Sequence, residues 1–295
     1  MTIKKLVTNE PNNKNGFAYK TSLSKLPAGG RELLSRSRRA LVGGRLLKRR
    51  GGQPQTQQDI APIRKSFSNQ LLSSLSDSDY SRLSPYLETV TLASGEELNK
   101  PGESINYVYF PEDVTVSQFQ GFADGSTAEI IMVGNEGMVG LNAVFGSTPS
   151  PFWTQAMTGG KVFRIKTSVL KEEFLHNPSL QFLLLNYANT YIAQISQRVS
   201  CNIRHVAEAR FCTWLLMLQD RTDDECLRLT QEQIAVCLGI NRPTVTNLAQ
   251  SLKESGIIDY VRGCIKILDR ARLEKSACEC YQATKEYMQS AAVVH

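Results

Sequence analysis

The sequence has no cysteine before Cys201 and only three histidines, His176, His205 and His295, in 295 residues. The seven cysteines crowd into the last third, and an odd number does not suit the paired framework of a small secreted domain. A reducing, cytoplasmic compartment is the expectation. No apolar run approaches the ~18 residues that a membrane helix needs. The charged start has no apolar stretch ahead of a small-residue cleavage site, so neither a membrane partner nor a secretion signal is expected. Metal-type spacing is missing as well. Cys278-x-Cys280 has no second pair, and no histidine stands in a ligand context, so no metal site and no cofactor are read from the chain. Buried inert thiols are the common case for such cysteines, with a redox switch at Cys201 or Cys278/Cys280 as the alternative. No glycine loop cradles a phosphate and no Cys/His or Ser/His signature marks a nucleophile, which leaves an enzyme without support.

Positive charge is abundant in one place only. Residues 1–65 hold 15 Lys+Arg against 3 Asp+Glu, and the rest of the chain is net negative although the whole is +6. Gly- and Pro-containing breaks (PNNKNG, PAGG, GGQPQTQQ) cut this arm into short pieces. A solvated disordered tail fits that composition. A basic arm laid on nucleic-acid phosphates and an amphipathic surface helix through Leu33, Leu34, Leu41 and Leu46 are the alternatives; an Arg- and Ser-rich transit peptide is a further one.

Beyond Ser66 the texture changes. Leu71, Leu72, Leu75, Leu83 and Leu87 recur at helical spacing. From Val90 to Ile165 the period becomes that of strands: TVTL, INYVYF, VTVSQF, AEIIMV and KVFRI, separated by turn residues, with Asp124-Gly125 as a hairpin signal. Short strands about every ten residues indicate a β-sandwich or barrel. After Asn177-Pro178, residues Leu180, Leu184, Tyr187, Tyr191, Ile195, Val199 and Ile203 follow at steps of three and four. A stripe that long favours a dimer seam over a helix lying under the β-domain. RFCTWLLML adds a deeply apolar helix.

The most informative stretch is LTQEQIAVCLGINRPTVTNLAQSLKESGIIDYVRGCIKILD, residues 229–269. Thr230 with Gln233 makes a capping box. Ile234, Ala235 and Leu238 give a helix face, and Gly239 ends it. Asn241 caps a second helix, Pro243 falls in its first turn, and Val245, Leu248 and Leu252 form its buried side. Two β-rich runs meet at Arg262-Gly263. Two short helices, a tight turn and a hairpin read as a winged helix-turn-helix. An ordinary αα-hairpin is the alternative, but Asn241, Arg242, Thr246, Asn247 and Gln250 gather hydrogen-bonding groups where base edges are met.

The order of parts over residues 66–280 resembles the Crp/Fnr family of bacterial transcription regulators. The helix-turn-helix stretch carries the resemblance, and NEGMVGLNAVFG resembles the family's β-roll hallmark. The implied architecture is α+β: a basic arm (1–65), a jelly-roll-like β-roll (66–175), a dimerisation helix (176–203), a winged helix-turn-helix (204–277) and a C-terminal tail (278–295). The implied function is a homodimer reading a palindromic double-stranded DNA site. RNA polymerase and a small effector are the further partners such a regulator implies; a non-DNA regulatory module whose winged helix contacts protein is the other reading.

Departures from the family pattern matter. Where the family reads bases with Arg, Glu and Arg, this chain has Arg242, Pro243 and Asn247. Arg242 keeps a guanine-type donor fork, Pro243 removes a carboxylate, and Asn247 suits adenine. Thr230, Asn241, Thr244, Thr246 and Gln250 complete the candidate DNA contacts. In the β-roll, Gly140 is followed by Leu141 rather than Glu, and Phe152 and Trp153 stand where an Arg would meet a cyclic phosphate. No Lys or Arg occurs from Gly134 to Gly160. Gly140, Leu141, Phe152 and Trp153 are therefore the candidate lining of an apolar pocket unsuited to cyclic AMP. The N-terminal cysteine cluster that binds iron and sulfur in some relatives is absent.

Overall fold

The computed structural model describes residues 67–146, 149–222, 224–261 and 263–292. The basic arm and its alternative readings lie outside these residues.

Two short helices open the fold, α1 (Gln70–Ser73) and α2 (Asp77–Leu83). Seven strands follow: β1 (Glu88–Leu92), β2 (Glu97–Asn99), β3 (Tyr107–Pro111), β4 (Val116–Gly121), β5 (Thr127–Val133), β6 (Trp153–Ala156) and β7 (Gly160–Lys166). They pair antiparallel into two sheets, ordered β1-β7-β3 and β2-β6-β4-β5. Leu92, Val114, Val116, Ile131, Val133, Ala156 and Val162 fill the space between them. Asp124-Gly125 turns β4 into β5: Gly125 takes φ 82°, and the Ser126 N–H donates to the Asp124 carboxylate at 2.9 Å. Helix α3 (Leu141–Val144) interrupts the strands after β5. The sequence pattern shows five of the seven strands. β2 and β6 escape it because ELN and WTQA are too short to establish a period.

Helix α4 (Thr167–His176) leads to the long α5 (Pro178–Arg204). The Asn177 side chain caps α5, and Pro178 occupies the first turn, where a missing N–H is harmless. Here the structure corrects the sequence reading. Leu180, Leu184 and Tyr187 are buried in the core beneath the β-roll, and Tyr191 and Ile195 pack against the same body. Only Val199 and Ile203 of the expected seam are exposed. The reason is geometric: each four-residue step overshoots a helical turn by about 40°. The run Tyr191, Ile195, Val199, Ile203 therefore winds from the inner face to the outer one.

Helix α6 (Ala207–Gln219) begins two residues after α5 ends. The winged unit comprises β8 (Leu227–Arg228), α7 (Gln231–Leu238), α8 (Arg242–Glu254), β9 (Ile258–Val261) and β10 (Cys264–Ile267), followed by α9 (Arg270–Ser276). Its core of Phe211, Trp214, Leu215, Ile234, Val245, Leu252 and Ile265 is continuous with Phe119, Met132 and Met157 of the β-roll. Cys226 and Cys264 are bridged, with Cα atoms 5.4 Å apart; the cysteine pattern, read as that of a reducing compartment, gave no reason to expect a bridge. The segment expected as a tail is instead helix α10 (Cys280–Ala292), packed on α5 and α6. Among the described residues, no helix is long and apolar enough to cross a membrane.

The start of α5 is fixed to α2 through Asp79. Its buried carboxylate accepts from Ser179 Oγ at 2.6 Å, from Ser76 Oγ at 2.7 Å, from Arg82 at 2.6 Å, and from the Asn177 amide. Burial pushes the Asp79 pKa up, but the bonds from Ser179, Asn177, Ser76 and Arg82 outweigh it and hold the value at about 2 against 3.8. A depressed folded-state pKa gives stability that is present above the unfolded value and lost as pH falls through the folded one. Asp79→Asn should therefore cost about 2 kcal/mol at pH 7, measured by urea unfolding. The gap from wild type should close between pH 4 and pH 2; a gap that persists at pH 2 would show that the charge is not its source.

Candidate nucleic-acid interface

The helix-turn-helix is built by local rules. The Thr230 hydroxyl accepts the Gln233 N–H at 3.1 Å, and the Gln233 side chain accepts the Thr230 N–H at 2.9 Å, closing the capping box. Gly239 takes φ 64°, a left-handed turn that glycine adopts at little cost. The Asn241 side chain accepts the Thr244 N–H at 2.9 Å and starts α8. Val245, Ala249 and Leu252 form the buried face of α8, and Leu248 is half-buried. No acidic residue occupies the first turn of α8, so its positive end faces solvent without a competing carboxylate.

The predicted contacts divide into engaged and free groups. Thr230 and Asn241 are exposed but act as caps. The Thr244 hydroxyl donates to Asn241 at 2.6 Å. Thr246 donates to Gln231 at 2.8 Å, and Gln250 donates to Glu254 at 2.7 Å. Pro243 is exposed beside them. The Arg242 and Asn247 side chains are exposed and make no hydrogen bond among the described residues.

Residues Gly140, Leu141 and Phe152 come together in a cavity of about 190 Å³ between the β-roll and α5. Gln118, Asn142, Ala188, Tyr191 and Ile192 share its lining, and none of the described lining residues is charged. The Asn142 amide nitrogen is buried there without a hydrogen-bond partner among the described residues. Trp153 is not part of this cavity. It donates to Glu97 at 3.0 Å in a separate cleft where the β-roll meets α7.

Residues 209–276 match the Crp-like helix-turn-helix domain family. Solved structures match about two thirds of the chain. A Crp/Fnr-family protein from Eubacterium rectale is 17% identical, with TM-score 0.58 over 70% of this chain and 96% of that one. FixK2 from Bradyrhizobium japonicum is 19% identical, with TM-score 0.56 over 65% and 98%. A Crp/Fnr-family transcriptional regulator from Thermus thermophilus is 22% identical, with TM-score 0.54 over 64% and 98%. This chain has a Crp/Fnr-type regulator fold. No curated protein matches it by sequence.

Within this Crp/Fnr-type fold, the helix-turn-helix is anchored to its own β-roll by two buried ion pairs. The Glu129 carboxylate on β5 is fully buried and accepts from Ser117 Oγ at 2.6 Å, Trp214 Nε1 at 2.9 Å and Arg198 at 2.9 Å. Arg198 also donates to the Cys237 carbonyl near the end of α7. Arg221, after α6, pairs with Glu136 of the β-roll at 2.8 Å. The pattern of the sequence revealed neither pair, because partners 69 and 85 residues apart leave no periodic signal.

The fold gives Cys278-x-Cys280 the second pair that the sequence spacing did not show. Cys201 and His205, one turn apart at the end of α5, meet Cys278 and Cys280 from the α9–α10 elbow. A hydrogen bond with Cys201 and another with Thr213 pull the Cys278 thiol below its ordinary value against burial.

Removing one partner of a buried pair strands a charge. Arg198→Met should lower unfolding free energy by about 3–5 kcal/mol, and adding Glu129→Gln to it should recover more than half of that loss. Simple additivity in denaturant melts would show that the two do not act as a pair.

Proposed function

We propose that this chain is a homodimeric, sequence-specific DNA-binding transcription regulator, not an enzyme. What carries the reading is the outer face of α8, where Arg242 and Asn247 stand exposed and unengaged on a Crp-like helix-turn-helix. Arg242 offers a two-donor fork to guanine, and Asn247 offers a donor–acceptor pair suited to adenine. Binding-site selection from random duplexes tests this. Arg242→Ala should cost about 1–3 kcal/mol of specific binding without loss of fold. Asn247→Ala should relax a single base position; wild-type specificity in both variants would refute the assignment.

The dimer seam we propose is the outer face of α5. Phe182, Leu185, Ile192, Val199 and Ile203 lie along it at intervals of three, seven, seven and four, each at least half exposed. A repeat of seven is the pattern of two helices packed side by side. Two readers held that way meet successive major grooves, about 34 Å apart. Ile192→Glu should give a monomer in sedimentation and abolish tight binding to a palindrome. A variant that stays dimeric would place the seam elsewhere.

For the effector, the cavity favours a neutral, mostly apolar molecule with one acceptor for the Asn142 amide. A cyclic phosphate there would be buried without a cation, which is costly.

A further inference from the structure

We propose that Cys201, His205, Cys278 and Cys280 form a tetrahedral site for a single zinc ion, joining the end of the long helix α5 to the elbow before α10. The four ligand atoms all lie within 4.8 Å of one another. Cys201 Sγ and Cys278 Sγ are 3.6 Å apart, and Cys280 Sγ and His205 Nδ1 are 3.5 Å apart. Bonds of ~2.3 Å to sulfur and ~2.0 Å to nitrogen in a tetrahedron place ligand atoms roughly 3.5–3.8 Å apart. The arrangement thus converges on one point. An iron–sulfur cluster spreads its ligands over two or more irons and needs a wider set. Sulfur and imidazole donors in a three-to-one ratio are a soft set that suits zinc rather than magnesium or calcium.

The sequence supplies each ligand in a form that needs little adjustment. Cys201 lies in the last turn of α5 and His205 caps it, its N–H donating to the Cys201 carbonyl at 3.0 Å, which keeps the two residues close. Cys278 and Cys280 flank Glu279 where the chain enters α10, and all three thiols are buried. The surroundings are those of a metal site rather than of packed thiols. His205 Nε2 faces the Glu279 carboxylate at 3.1 Å, which directs the other ring nitrogen, as a lone pair, toward the sulfurs. The Gln197 amide donates to Cys280 Sγ at 3.0 Å. The Thr213 hydroxyl accepts the Cys278 N–H at 3.1 Å and shares a further hydrogen bond with Cys278 Sγ, also at 3.1 Å. Arg198 and Arg210 border the adjoining cavity, each with a buried Nε that has no hydrogen-bond partner among the described residues. Arg198 is already paired with Glu129, so it is the Arg210 charge that offsets the net negative charge of three thiolates around a divalent ion. The three thiol protons leave to solvent on binding, and no redox change is involved. Four protein ligands leave no open position, so the ion is structural.

The site's position gives it a consequence. His205 and Val206 are the whole connection between α5 and α6. An ion held by His205 stiffens that connection and clamps α10 to it.

Cobalt is the probe. Full-length protein, reduced and stripped with a chelator, is titrated with Co²⁺. One equivalent per chain should bind with tetrahedral d–d bands and thiolate charge transfer, and Zn²⁺ should displace it. Cys278→Ser should weaken binding more than about 100-fold, and Glu279→Gln about ten-fold, the scale of an outer-shell partner. Cys226→Ser/Cys264→Ser should change neither the stoichiometry nor the bands. If Cys278→Ser fails to fold, mass mapping on wild type decides: zinc should slow alkylation of Cys201, Cys278 and Cys280 together. Octahedral-type cobalt spectra, binding indifferent to Cys278→Ser, or alkylation unchanged by zinc would each overturn the site. So would a Cys201–Cys278 disulfide that persists in the reduced, zinc-treated protein.

Discussion

A carboxylate with no contact to water sets the arrangement of this molecule. Glu129 sits on a β-roll strand, and its side chain is fully buried. Leaving that charge unpaired would cost several kcal/mol, so the fold must bring it donors. They come from three different parts: Ser117 from the neighbouring strand, Arg198 from the long helix, and Trp214 from the helix that introduces the reader. Arg198 then spends a further N–H on the Cys237 carbonyl of α7, the helix that carries α8. Each donor ties its own element to Glu129, and loss of Arg198, its cationic partner, would leave that charge without a counter-charge. The buried Arg221–Glu136 pair repeats the logic on the other side of α6.

The long helix organises this along its length. Ala188 and Tyr191 face the apolar cavity, Arg198 reaches Glu129, and Cys201 with His205 completes the sulfur–imidazole cluster. Three chemically distinct contacts follow one another on successive turns of the inner face. The outer face carries the apolar series through Leu185, Ile192 and Val199, with exposed Asn189, Ser196 and Ser200 among them. An α-helix can serve both because 3.6 residues per turn leaves room for two stripes. One stripe feels the β-roll, and the other is the seam proposed above for a second copy.

That double use explains where the sequence was legible. The reader was plain from it because caps and turns are local: Thr230, Gln233, Gly239 and Asn241 act within a few residues of one another. The five longer strands were plain because alternation needs only five or six residues to show. Helix α5 was recognisable as a helix, but not which side faced what, since core and partner faces share one period and the steps of four wander between them. The cluster at Cys201 was invisible for another reason. Its pairs, Cys-x₃-His and Cys-x-Cys, are each unremarkable, and they are 77 residues apart between Cys201 and Cys278. Only the return of α10 along α5 brings them together, and that segment read as a tail because little in its short, mixed sequence marks a buried face.

The same geometry limits how an effector can act on the reader. A ligand shifts an equilibrium only by the difference in its affinity for the two arrangements. In the reading proposed here, the cavity's occupant must therefore touch a group that would sit differently in a released state. Tyr191 is such a group: it lines the cavity, and its hydroxyl donates to Gln118. Gln118 is the neighbour in sequence of Ser117, which donates to Glu129. A ligand that takes the Tyr191 hydroxyl loosens β4 beside that carboxylate's smallest donor. The remaining donors, Arg198 and Trp214, then hold Glu129 only while the long helix and α6 stay in place. With zinc at His205, the two-residue link between those helices has little freedom of its own. Movement of the reader then has to come as a rigid step about the Glu129 contacts rather than as bending at the link, and two-state steps of that kind are what small ligands can bias.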